Sequence, residues 1–246
     1  MRNPQDDAER RRIVIGIYAV TAVAATAAAV GALAMVHRAE DRTGASSTAG
    51  WKTVVNPEHG TAFDVPPDWE VVSSSVFSGY ADHKDPDKAL IGHTAPAFFK
   101  SKWCSIDGNG DGVVNDVHLA STGTKGADGA KSTAEVAEKT APTWVYAAYT
   151  QPDKSVVKWD KPVEYTTKYG VKGTYVKAHS EGSEKSNRCD GDGKAIAFGF
   201  KNSQGDFVAW DFYGRTGVPG AVSDKLIMRI LSTVRLSGDP KPTAPL

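Results

Sequence analysis

Lys194-Ala195-Ile196-Ala197-Phe198-Gly199-Phe200 and Phe207-Val208-Ala209-Trp210-Asp211-Phe212-Tyr213, joined across Asn202-Ser203-Gln204-Gly205, decide how this chain folds. Ile196, Phe198 and Phe200 alternate on one arm, and Val208, Trp210 and Phe212 on the other. This is the period of two that buries one face of a strand. The polar turn between the arms closes them into an antiparallel hairpin. Upstream, further strands are expected at 51–55 and 61–65, joined by the turn Asn56-Pro57-Glu58-His59-Gly60, and at 69–72 after the break Pro66-Pro67-Asp68. Others are expected at 98–104, 156–159, 164–168 and 174–178. Residues 107–131 are rich in Gly, Asp and Ser and predict mostly loop, with one strand near 117–120. Two segments carry the helical period instead. Ser132-Thr133-Ala134-Glu135 is a capping box, and the helix behind it presents Ala137, Ala141, Trp144, Val145 and Ala148 on one face, with Pro142 as a kink or restart. Around 223–234, Leu226, Ile227, Ile230, Leu231 and Val234 form a second apolar stripe. Strands with two amphipathic helices predict an α+β fold, an antiparallel sheet covered by helices.

The N-terminal region has a different character. Residues 13–36 contain no charged, Asn, Gln or His side chain, and Arg10, Arg11 and Arg12 stand immediately before them. As a helix, 24 residues span roughly 36 Å, enough to cross a hydrocarbon core of about 30 Å. The arginines hold the N-terminus in the cytoplasm and place the chain beyond residue 36 outside. The expected organisation is a cytoplasmic tail (1–12), a transmembrane helix (13–36), a polar linker (37–50), an extracytoplasmic domain (51–236) and a Pro-rich disordered tail (237–246). Two export readings compete with a retained anchor: cleavage after Ala34, within Ala32-Leu33-Ala34, and twin-arginine export through Arg11-Arg12.

Phe63-Asp64-Val65-Pro66-Pro67-Asp68-Trp69 resembles the F-x-V-P-x-x-W opening of PsbP-like and LpqN-like exported domains, as carried by single-pass membrane proteins of actinobacteria. Ile230-Leu231-Ser232-Thr233-Val234-Arg235-Leu236 is similar to the closing helix and strand of the same superfamily. The resemblance implies an α/β/α sandwich over residues 51–236 that serves binding or assembly at a membrane rather than catalysis. It transfers no site residues, because the matching positions are core and turn positions.

The chemistry-bearing residues are sparse. The 29 basic and 29 acidic residues balance, and no exported stretch concentrates Lys or Arg, which argues against nucleic acid as a partner. Asp107, Asn109 and Asp111, with Gly112 after them, match the first half of an EF-hand-type loop, a candidate Ca2+ site. Position 12 of that loop is His118 rather than a bidentate carboxylate, so a Gly/Asn/Asp turn is the competing reading. His59, His83, His93, His118 and His179 show no metal-ligand spacing. No G-x-S-x-G elbow exists, and Ser155-Val156-Val157-Lys158 lacks the partner motifs that S-x-x-K chemistry needs. Trp144 and Trp210 fall on inward faces, so core is the expected place for most tryptophans. Cys104 and Cys189 are the two cysteines, neither in C-x-x-C, and in an oxidising compartment they predict one disulfide. That bridge would make the end of the domain carrying residues 107–112 and 188–193 its binding surface. The functional expectation is a non-enzymatic binding or assembly module of the cell envelope, its partner an envelope protein or glycan. An envelope hydrolase, a glycan-binding module and a calcium-responsive module are the alternatives.

Overall fold

The computed structural model describes residues 48–107 and 112–241. Its strands are β1 (Lys52–Asn56), β2 (Thr61–Val65), β3 (Trp69–Val71), β4 (Phe77–Asp82), β5 (Asp85–Phe99), β6 (Cys104–Ile106), β7 (Asn115–Val117) and β8 (Ala120–Gly126). After helix α1 (Thr133–Val145) come β9 (Val157–Trp159), β10 (Val163–Thr166), β11 (Lys172–Ser180), β12 (Gly193–Lys201) and β13 (Phe207–Arg215). Helix α2 (Asp224–Ser232) and the short β14 (Arg235–Leu236) close the domain. The large sheet runs β10-β11-β12-β13-β8-β5-β3, with β4 also paired to β5 and β9 to β11, and every pairing is antiparallel.

The β12–β13 hairpin forms as its alternation requires, from Gly193 opposite Arg215 to Lys201 opposite Phe207. Ile196, Phe198, Phe200, Val208, Trp210 and Phe212 share one core with Phe63 and Trp69 and with Ile227, Ile230 and Leu231 of α2. The opposite face of the same strands, with Ala195, Ala197 and Tyr213, packs against Ala137, Ala141, Trp144 and Val145 of α1. Helix α1 starts at the expected cap, the Glu135 N–H donating to Ser132 Oγ at 3.1 Å. It runs through Pro142 and widens into a π-turn over Tyr146–Thr150.

A one-residue bulge sets which side of β5 faces which core. Thr94 pairs with Thr124, but the partner of Thr122 is Ala97 rather than Pro96, and Ala95 between them adopts a φ of 50°. The extra residue inverts the alternation. Thus His93 faces α1, while Ala97 and Phe99 join the other core, where Phe99 stacks on Trp69.

The α/β/α sandwich, with helices covering the sheet, is not what forms. Among the described residues fourteen strands stand against two α-helices, and the domain is mostly antiparallel β. Opposite α1, the large sheet is covered by the three-stranded sheet β1-β2-β14 with the nine-residue α2 beside it, not by a helical layer. The physical reason lies in 85–126. β5 runs fifteen residues from a charged, exposed start, and β8, expected as loop, sits at the centre of the sheet between β13 and β5. Ser121, Thr122 and Thr124 are fully buried there, where each hydroxyl finds a partner, so the strand needs no apolar alternation. The strand expected at 98–104 likewise ends at Phe99 and resumes as β6.

Residues 13–36, expected as the transmembrane helix, lie outside the described residues. No helix among the described residues is long and apolar enough to cross a membrane. Beyond β14 the chain bonds back onto the β1–β2 turn, Ser237 N–H donating to the Gly60 carbonyl at 2.9 Å and Lys241 N–H to that of Pro57 at 2.8 Å.

Candidate functional site

β13 carries an anomaly within its apolar run. Asp211 shares the α1 side with Tyr213 and Arg215, at a spacing of two. The register sets Asp211 opposite Gly123 and Tyr213 opposite Ser121 on β8, and His93 opposite Ser78 on β4. Gly123 is required: a Cβ there would lie 2.6 Å from His93 Cγ. In the space it leaves, His93 Nδ1 meets Asp211 Oδ1 at 2.7 Å and His93 Nε2 meets Ser121 Oγ at 3.1 Å. The Tyr213 hydroxyl bonds His118 Nε2 at 2.9 Å, and the Ser78 and Ser121 hydroxyls near it partly oppose the rise that burial gives its pKa. Asp211–His93–Ser121 and Tyr213–His118 thus form two hydrogen-bonded groups side by side in one buried array. Trp144 closes it from above, stacked flat on Tyr213 at 4.2 Å and 4.9 Å from His93.

Serine, histidine and aspartate in this order are the parts of a nucleophilic triad. None of the three is more than 1% exposed, and neither is Tyr213. A nucleophile must reach a substrate carbonyl, and here the Ser121 hydroxyl meets only protein. The array is a structural network that ties β5, β8 and β13 together under α1.

Two residues beyond Tyr213, the chain of contacts reaches Arg215. Its guanidinium carbon lies 5.4 Å from the ring centres of both Trp103 and Tyr149. Tyr149 comes from the π-turn after α1 and lies so close to β12 that a Cβ on Gly193 would fall 2.1 Å from its ring. Arg215 is 8% exposed, and its Nε is buried with no hydrogen-bond partner among the described residues. Burial pushes the Tyr149 phenol well above its ordinary value, so it stays neutral beside the cation. Burial also pushes His118 down to about 3, with repulsion from His93 and Arg215 adding to the shift. The His118 ring is held between Phe98 and Tyr213, at 4.9 and 5.5 Å.

Trp103 precedes Cys104, and the Cys104–Cys189 disulfide fastens this end of the domain across 85 positions. Arg188 adds donors from Nε and Nη2 to the Ser105 carbonyl. The predicted bridge therefore forms, joining β6 to the loop before β12.

A family model for a domain of unknown function, DUF8017, matches residues 44–239. The chain belongs to the DUF8017 family. No curated protein matches its sequence.

Within the DUF8017 domain the residues singled out from sequence meet different fates. Asp107 accepts a bond from Gly112 N–H at 3.1 Å, whereas Asn109 and Asp111 lie outside the described residues. No group of three or more metal-ligating side chains comes together among the described residues. Ser155 bonds Asp153 at 2.7 Å in a turn. Trp144 and Trp210 are fully buried as expected, while Trp159 is 54% exposed. His93 and His118, scattered in sequence, enter neighbouring hydrogen-bonded groups of the same buried array. Sequence spacing misses this network because its members are 28 to 118 positions apart. The one signal in the sequence is Asp211, a carboxylate flanked by Trp210 and Phe212 in a strand that otherwise reads as core.

Proposed function

We propose that the DUF8017 domain is a non-enzymatic binding module of the cell envelope, held outside the cytoplasmic membrane by the 13–36 segment. The observation that carries the reading is the closure of the Ser121–His93–Asp211 array. The side chains best suited to hydrolysis are spent on holding the sheet together, while the nearby Arg215 end keeps an uncompensated cation beside aromatic rings. Arginine with aromatic residues is the composition of recognition surfaces rather than of a hydrolytic centre. The disulfide supports an oxidising, extracytoplasmic location. The arginines before residue 13 support the orientation.

Two measurements test it. Protease added outside intact cells should degrade the 48–241 region, and a C-terminal reporter active only in the cytoplasm would refute the topology. The full chain in detergent should remain unlabelled by a fluorophosphonate probe. A covalent adduct on Ser121 would show that the array opens and would restore the hydrolase reading.

A further inference from the structure

We infer that Arg215 is the anchor of a carboxylate-binding site, formed with Trp103 and Tyr149 at the disulfide-fastened end of the sheet. The inference rests on the binding-module reading and names the ligand chemistry. A guanidinium carries five N–H donors in a planar fork and cannot shed its charge, so burying it without an acceptor is costly. Buried arginines are accordingly paired with carboxylates or carbonyls. Among the described residues Arg215 finds no side-chain hydrogen bond or ion pair, although it is more than nine-tenths buried.

The nearby acids do not compensate for it. Asp211 lies on the same face of β13, but four residues away, about 13 Å along a strand, and is engaged by His93. The Asp192 carboxylate is held by Ser180, Ser183 and Gly182. What holds the guanidinium is the attraction of two ring faces, which lowers the cost of burial but satisfies no N–H. The charge and its donors are thus preorganised and unused.

The geometry selects the ligand. The Nε of Arg215 is enclosed and its two Nη groups are not, so an acceptor must come to the edge that those groups form. A planar carboxylate matches that edge with two parallel hydrogen bonds. A phosphate dianion calls for a second cation, and the adjacent His118 does not supply one at neutral pH. The aromatic rings add apolar contact for the group that bears the carboxylate. A small organic acid and a peptide C-terminus present the same chemistry.

The test uses the full chain in detergent at pH 7 and follows the Arg215 Nε–H resonance and the Trp103 indole resonance by NMR. Sodium acetate and an N-acetylated dipeptide acid should each shift both resonances saturably, at constant ionic strength set with sodium chloride. The tighter of the two identifies the source, while the dipeptide amide should produce no shift. Arg215→Met should weaken binding at least tenfold while leaving the melting temperature unchanged or higher, because it removes a buried, unpartnered charge. Arg215→Lys, which keeps the charge without the fork, should bind at an intermediate level. The inference is overturned if no carboxylate saturates the wild-type resonances, if phosphate binds more tightly than acetate, or if Arg215→Met binds as well as wild type. Should the methionine variant not fold, the wild-type and lysine titrations decide alone. A failure here leaves the fluorophosphonate and topology results standing, so the two readings fall separately.

Discussion

Lowering the pH from 6.5 to 4.5 should destabilise the domain, and His118→Gln should remove much of that loss. In an unfolded chain histidine titrates near 6.5, whereas folding holds His118 down to about 3 through burial and the repulsion of His93 and Arg215. Between these values the unfolded chain takes up a proton that the folded domain refuses. Stability is therefore fully present above the unfolded value and falls as the pH drops through the window. One proton across two pH units is worth at most about 2.7 kcal/mol. His118 keeps some solvent contact, and screening reduces the figure, so a loss of about 1–2 kcal/mol is expected. His59 is also lowered, chiefly by burial, and His59→Gln separates its share. The lowered carboxylates, such as Glu135 beside Lys139 and Asp116 bonded to Ser105, act only below about pH 4.5. Urea denaturation of the full chain in detergent at pH 6.5, 5.5 and 4.5 measures the effect. If His118→Gln loses as much stability as wild type over this range, the enclosure of the His118 ring is wrong.

Trp144→Ala removes the fully buried ring stacked on Tyr213 and over His93 and should cost about 3–5 kcal/mol; a melting temperature within a degree or two of wild type would contradict that packing. Opening the Cys104–Cys189 bridge, by reduction or by the double Cys→Ser variant, releases a loop of 85 positions. Chain entropy sets that loss at about 4–5 kcal/mol, with about 2–4 expected in practice. Mass spectrometry of the non-reduced, alkylated chain should find neither cysteine modified, and alkylation of both would refute the bridge.

The parts of the fold legible in sequence are those whose signal is local. The β12–β13 hairpin shows in the alternation of Ile196, Phe198 and Phe200 against Val208, Trp210 and Phe212, because one face of each strand meets an apolar core. Ser132 caps α1 as expected. Its reciprocal partner Glu135 reaches the Lys131 N–H at 2.7 Å rather than that of Ser132, a shift of one residue that the motif does not reveal. β8 is illegible because its buried side chains are hydroxyls. Thr124 accepts from Asn56 Nδ2 at 2.8 Å, and Thr122 donates to the Asp211 carbonyl at 2.7 Å, both partners distant in sequence. The helical layers implied by the resemblance fail for the same reason: polar strands occupy chain that a sandwich would give to helices. The disulfide is legible from cysteine count and compartment alone. Arg215 is not, since nothing in Tyr213-Gly214-Arg215 announces that two aromatic residues from other segments will converge on its side chain.

The small sheet β1-β2-β14 has a mechanical consequence. β1 and β14 both run antiparallel to the β2 between them, Lys52 lying opposite Val65 at one end and Leu236 opposite Thr61 at the other. Tension applied between the chain before β1 and the region after β14 would enter this sheet at opposite ends of β2. The strands would then be drawn past one another lengthwise, with their interstrand bonds strained together rather than peeled open one by one. The first to give would be the two register pairs of β14, while the five pairs of β1 and β2 still held.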